Sequence, residues 1–144
     1  MTTTNYGRRL LAKKKKPSKT YYKKKADRFF SLYIRHRDGI CQSTLVAGAG
    51  AQVCTRELNL QCAHVHSRDY SATRLDVDNA MALCRSCHMY FTQRPLEWRE
   101  FVDKLYGANY YDRLGIRALS GARRNAAVNW EEKAKQWERE WLDG

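Results

Sequence analysis

The sequence predicts an α+β fold, mainly helical, in which a small ββα core carries flanking helices. Three observations predict it. Two short apolar stretches, 58–66 and 80–83, are separated by the polar segment 68–78, as two strands joined by a loop would be. The second runs directly into Cys84-Arg85-Ser86-Cys87-His88, a cysteine turn at metal-ligand spacing that opens a helical pattern. In most of the remaining chain apolar residues recur every three or four positions, as amphipathic helices require.

A chain of 144 residues has room for one domain with one modest core. The formal net charge of +12 favours polyanionic partners, since clustered Lys and Arg bind nucleic acid by neutralising phosphates and releasing counterions. An anionic membrane is the rival partner. No apolar run approaches the ~18 residues of a spanning helix, and no signal-peptide pattern is visible, so the expectation is a soluble, cytoplasmic protein that does not engage a membrane. Five cysteines fit a disulfide framework poorly. A redox role for Cys84-x2-Cys87 would want a thioredoxin-like βαβ context, and none precedes it; a metal site is the better reading.

Taken in order, residues 1–25 carry Arg8, Arg9, Lys13, Lys14, Lys15, Lys16, Lys19 and Lys23 to Lys25 with no acidic residue, which predicts a basic arm, disordered when free, that lies along phosphates. Phe29, Phe30, Tyr33 and Ile34 predict a helix from Asp27 to Asp38 stopped by Gly39. The small, glycine-rich stretch Leu45 to Ala51 reads as a flexible loop. In the first strand, 58–66, alternation puts Leu60, Cys62, His64 and His66 on one face and Gln61, Ala63 and Val65 on the other. Pro95 and Gly107 bracket a helix ending at Tyr106. A shorter helical piece covers Tyr110 to Leu119, with a break at Ser120-Gly121. A last helix spaces Trp130, Ala134, Trp137 and Trp141 as one stripe, read as core or a docking face. The expected organisation is an arm over 1–25, a zinc-stabilised core over 26–106 and a helical extension of the same domain over 107–144.

Zinc takes four borderline or soft ligands tetrahedrally, usually from two knuckles. Cys84 and Cys87 form the regular one. For the other, Cys41, Cys54 and Cys62 are candidates. Cys41 and Cys54 are preferred, because Cys62 sits inside a strand, where a cysteine is most often a small buried apolar residue. A structural Zn²⁺ would also hold a ββα unit too small to hold itself.

Nearby stand residues suited to hydrolysing a phosphodiester, which needs a base, a cation and something to orient the base. His64 on a strand suits the base, His88 on the first turn of a helix suits metal ligation, and Asn79 can hold the loop by side-chain amide bonds. The pattern Ala63-His64-Val65, Asn79 and Leu83-Cys84-Arg85-Ser86-Cys87-His88 resembles the HNH, or ββα-metal, nucleases. His64-x3-Arg68, Arg74-Leu75-Asp76, Asn79-Ala80 and Pro95-Leu96-Glu97-Trp98 look like a phage-associated subgroup that includes the NinG (Rap) recombination nucleases. The core resemblance spans roughly 38 to 106.

The resemblance implies an endonuclease that nicks or cuts DNA, with branched recombination intermediates among its substrates, acting in the host cytoplasm. It implies His64 as general base, His88 as ligand of a catalytic Mg²⁺ or Mn²⁺, with His64 beside that ion, and Asn79 in support. Other phage recombination or packaging proteins are expected partners. Arg68, Arg74 and Arg85 are placed to contact phosphates. The chain departs from the pattern at Ala63, where many members have an acidic or histidine metal ligand; water, His66, Asp69 or Asp76 are the candidate replacements. The alternatives are a non-catalytic, zinc-stabilised nucleic-acid-binding module and a packaging accessory that docks a partner through its tryptophan stripe.

Overall fold

The structure is a computed structural model and describes residues 14–120 and 128–144. Its elements are α1 (Lys19–Asp38), a 3-10 turn (Gln42–Leu45), β1 (Leu60–His64), a second 3-10 turn (Val77–Asn79), β2 (Ala80–Cys84), α2 (Arg85–Thr92), α3 (Pro95–Tyr106), α4 (Tyr110–Ser120) and α5 (Trp130–Asp143). The chain is mainly helical around one two-stranded antiparallel sheet.

Helix α1 begins eight residues earlier than its apolar pattern predicts, and this corrects the expectation of a disordered arm as far as residue 25. Ser18 caps it by accepting the Tyr21 N–H at 3.2 Å, and Gly39, with φ of 68°, closes it through a bond to the Arg35 carbonyl. The expected repulsion among the lysines is answered from a distant segment. Lys25 pairs with Glu138 at 3.0 Å, Lys16 with Glu131 at 3.3 Å, and Lys23 sits over the Trp130 ring. All three partners belong to α5. Residues 1–13, including Lys13, lie outside the described residues.

Ala26, Phe30 and Ile34, spaced four and four, are the buried stripe of α1. Against it lies the tryptophan stripe of α5, with Ala134 and Trp137 buried. Trp137 meets Phe30 edge-on at 4.9 Å and Tyr33 at 5.3 Å. The middle of the stripe is therefore spent inside the fold, while Trp130 and Trp141 at its ends stay half-buried.

In the sheet, Leu60 pairs with Cys84, Cys62 with Ala82 and His64 with Ala80. One face, carrying Cys62 and Ala80, packs with Phe30, Ile34 and Trp137. The other, carrying Ala63, Val65, Met81 and Leu83, packs with Phe91, Phe101, Val102 and Leu114 from α2, α3 and α4. Strand β2 is buried throughout because its outer edge is covered as well. The Asp38 carboxylate accepts the Ala82 N–H at 2.7 Å, and Arg37 donates to the carbonyls of Val77 and Ala80, each at 2.9 Å. The end of α1 thus closes β2, and among the described residues no third strand pairs with β1. That open edge is where the candidate site lies.

Pro95 stands at the start of α3 and Gly107 at its end, both as expected. No helix among the described residues is long and apolar enough to cross a membrane.

Candidate metal centre and histidine cleft

Four sulfurs converge at the junction of α1, β2 and α2. The Sγ atoms of Cys41, Cys54, Cys84 and Cys87 all lie within 4.8 Å of one another. Cys54 and Cys84 are 3.9 Å apart. A tetrahedron with Zn–S bonds of about 2.3 Å has S···S edges of about 3.8 Å, so the cage has the size of one tetrahedral metal ion. Each ligand is placed by a different local device. Cys41 follows the Gly39 stop of α1, Cys54 ends the glycine-rich loop, Cys84 closes β2 and caps α2, and Cys87 sits in the first turn of α2. Cys62 is outside the cluster, half-buried against the Phe30 and Ile34 core, and burial pushes its thiol up to about 12.

The loop expected to be flexible is part of this centre. Val46, Ala49 and Ala51 pack onto the core. At Gly50, φ is +85°, and a Cβ there would come within 2.9 Å of Cys87 Sγ and of the Ser43 side chain. Glycine is therefore required twice over at Gly50, for its backbone conformation and for close approach to the sulfur. The Ser43 hydroxyl lies 3.1 Å from Cys41 Sγ and 3.2 Å from Cys87 Sγ, in place to donate to a thiolate. Burial raises the thiols of Cys41 and Cys87. At Cys84 burial also opposes ionisation, but hydrogen bonds from Cys87 and Thr55 outweigh it and bring the group to about 6. One sulfur in the cage is thus already disposed to be a thiolate, the form that binds metal.

At the open edge of β1, His64 and His88 line one cleft of about 130 Å³, together with Ala63, Phe91, Thr92 and Trp98. His64 lies flat against Phe30, with centroids 5.7 Å apart. Its Nε2 is 2.9 Å from the Arg74 carbonyl. A carbonyl only accepts, so Nε2 carries the proton and Nδ1 keeps the lone pair. Burial drives the His64 pKa down to about 4, opposed by the Arg74 carbonyl and reinforced by the Arg68 charge. The ring is therefore neutral at pH 7. His88 is also shifted down, by burial and then Arg68. Its Nδ1 lies 2.8 Å from Gln61 Oε1, an acceptor, which leaves Nε2 as its unprotonated nitrogen.

Asn79 does not line this cleft; it holds the loop whose Arg74 carbonyl orients His64. Its amide is fully buried. Oδ1 accepts the His66 N–H at 2.9 Å, while Nδ2 donates to the carbonyls of His66 at 3.1 Å and Thr73 at 3.0 Å. Thr73 precedes Arg74, whose carbonyl orients His64. Asn79 is thus a positioning residue acting through the loop. Asn79→Ala would strand those three backbone groups, and it is expected to cost about 3 kcal/mol while leaving the bound metal in place. Urea denaturation of the metal-loaded protein checks this, and an unchanged midpoint would contradict it.

Other expectations need correction. Arg74, expected at a phosphate, has its guanidinium engaged within the fold. Its guanidinium forms a two-pronged pair with Asp27 and donates to the Arg68 carbonyl at 3.0 Å, tying α1 to the loop. His66 does not share the His64 site, because β1 ends at His64 and the alternation ends with it. The His66 ring turns to α4, with Nε2 2.8 Å from the Tyr111 carbonyl. Asp76 pairs with Arg117 at 2.7 Å. Lys14, Lys15 and Lys16 are all exposed, Lys16 with Glu131 at 3.3 Å.

Arg68 is exposed and lines a second cleft of about 290 Å³ that meets the first at His64. Arg85 lines a third and larger one. Two residues of these walls, Arg35 and Gln61, were not legible as functional. Arg35 reads as one more charge on a helix face, and Gln61 as an outward strand residue. Comparison of the chain with family models, with curated proteins and with solved structures finds no match.

Proposed function

We propose that the protein is a metal-dependent endonuclease of the HNH (ββα-metal) type, stabilised by one structural zinc. The observation that carries the reading is the shared cleft of His64 and His88 at the open edge of β1. It is supported by the order hairpin then helix, by the four-sulfur cage beside it and by the arginines along it. The cage fits zinc because an all-thiolate tetrahedral set suits that ion and the centre serves only to join elements.

In this reading the neutral His64 takes a proton from water at Nδ1, while the Arg74 carbonyl holds the opposite nitrogen and stabilises the imidazolium that forms. His88 presents Nε2 to a divalent cation, and Gln61 fixes that orientation. A Mg²⁺ or Mn²⁺ held by His88 would supply charge stabilisation for the departing oxygen, at a site where Ala63 offers only a methyl group. Arg68 and Arg85 hold the phosphate backbone of DNA. Branched recombination intermediates as substrates, and phage recombination or packaging proteins as partners, rest on the sequence resemblance alone.

One observation favours a second reading. Ala63 is 1% exposed and its place in the cleft wall provides no ligand. A zinc-stabilised module that binds nucleic acid without cutting it would tolerate this. Incubation with supercoiled plasmid separates the two. The nuclease yields relaxed or linear DNA only with added Mg²⁺ or Mn²⁺; the binding module retards the plasmid and leaves its topology unchanged.

A further inference from the structure

A cleft larger than the one that holds the two histidines lies further along the open edge of β1. It measures about 730 Å³ and is bounded by Arg35 and His36 of α1, Asn59 and Gln61 of the β1 edge, Arg85 at the start of α2 and Trp141 of α5. Arg35, Leu60 and Gln61 also line the cleft at His64, so the two run into each other along the open edge of β1. A space of this size is in the range of sites that enclose a small organic ligand, roughly 300–1,000 Å³.

The chemistry of the walls is more than phosphate binding needs. Guanidinium groups alone hold a backbone, and a duplex shows a protein little more than phosphates and groove edges. Here an indole ring, two side-chain amides and the Glu57 carboxylate share the walls with the two arginines. An indole offers a stacking face, and amides and a carboxylate match the hydrogen-bonding edge of a base, but only a base that has left its stack can use both. The neighbouring geometry keeps the wall in place. Trp141 meets His36 edge-on at 5.7 Å, and the Arg85 N–H donates to the Asn59 carbonyl at 3.1 Å.

We infer that this cleft is a subsite for one unpaired nucleotide of a strand that passes His64. The inference rests on the nucleic-acid reading above and names its substrate class: strands that are single-stranded or opened next to the reacting phosphate, of DNA or RNA. Arg35 and Arg85 take the flanking phosphates and Trp141 stacks the base.

The test uses the full chain with its zinc and no added Mg²⁺ or Mn²⁺, so that it measures binding whether or not the protein cuts. Fluorescence anisotropy with labelled oligothymidine, oligouridine and a blunt DNA duplex is compared for the wild type, Trp141→Ala and Trp141→Phe. Trp141→Ala is expected to weaken single-strand binding about 5- to 100-fold, the range of one base–aromatic stack, and to weaken duplex binding by much less; Trp141→Phe should recover most of the loss. Whichever sugar binds more tightly identifies the source of the nucleotide. Because Trp141 also helps dock α5, photocrosslinking of the wild type to 5-bromouracil-substituted single strands gives an independent reading, with the crosslink expected on Trp141 or His36. Equal losses on single strand and duplex, no loss at all, or crosslinks confined to residues outside the cleft would overturn the subsite. A wild type that binds none of the three probes would overturn the nucleic-acid reading itself.

Discussion

Removing the metal from the four-cysteine centre, by chelation or by Cys87→Ser, is expected to unfold the region that carries both histidines. The four sulfurs come from just after α1, the loop that follows, the end of β2 and the start of α2, so one ion ties α2, which carries His88, and β2, the pairing partner of the His64 strand, to the chain after α1. A two-stranded sheet is marginal alone, and structural zinc supplies apparent folding energies of about 10–16 kcal/mol, as much as the whole net stability of an ordinary domain. Loss of far-UV ellipticity and of zinc in elemental analysis should therefore go together, with one zinc per chain in the wild type. Cys62→Ser is the control. Cys62 faces the α1 core rather than the cage, so its variant should keep its zinc and remain folded. A protein that stays folded after chelation would contradict the role given to the cage.

His64→Ala is expected to lower cleavage by about 10²–10⁴-fold, the usual share of a general base, with zinc content and DNA binding unchanged. The pH dependence follows from the burial of the ring. The neutral form is the active one, and its pKa in the free protein is depressed to about 4, so kcat/KM should rise with pH through that value and be flat by about pH 6. A bound phosphodiester is an anion and stabilises the imidazolium, so the midpoint in kcat should lie higher than that in kcat/KM. A kcat midpoint below the kcat/KM midpoint would argue against His64 as the base.

Local patterns carried a good part of this structure. The bracketing of α3 by Pro95 and Gly107, the Cys84-x2-Cys87 turn and the choice of Cys41 and Cys54 over Cys62 all agree with the fold. Each rests on chemistry that a short stretch of chain fully specifies: a fixed φ, a ligand spacing, the alternation of a strand. What local patterns did not show depends on residues far apart in sequence. The first turns of α1 are held by acids of α5 more than a hundred residues away, so a lysine-rich stretch that reads as repulsive is helical. Arg74 looked available for phosphate until Asp27, 47 residues earlier, took its guanidinium. His66 appeared to share a face with His64 because nothing in the alternation marks where β1 stops. The candidate site was half legible. His64 and His88 could be named, but the Arg74 carbonyl and the Gln61 amide, which decide the free nitrogen of each ring, belong to tertiary structure.

The most direct measurement is plasmid cleavage by wild type and His64→Ala, each carrying its zinc, in parallel with Mn²⁺, with Mg²⁺ and without a divalent ion. Relaxed or linear plasmid is expected from the wild type only when the ion is added, and none above background from the variant. Equal cleavage by both proteins, or cleavage by the wild type that ignores the added ion, would contradict a metal-dependent nuclease site built on His64 and His88.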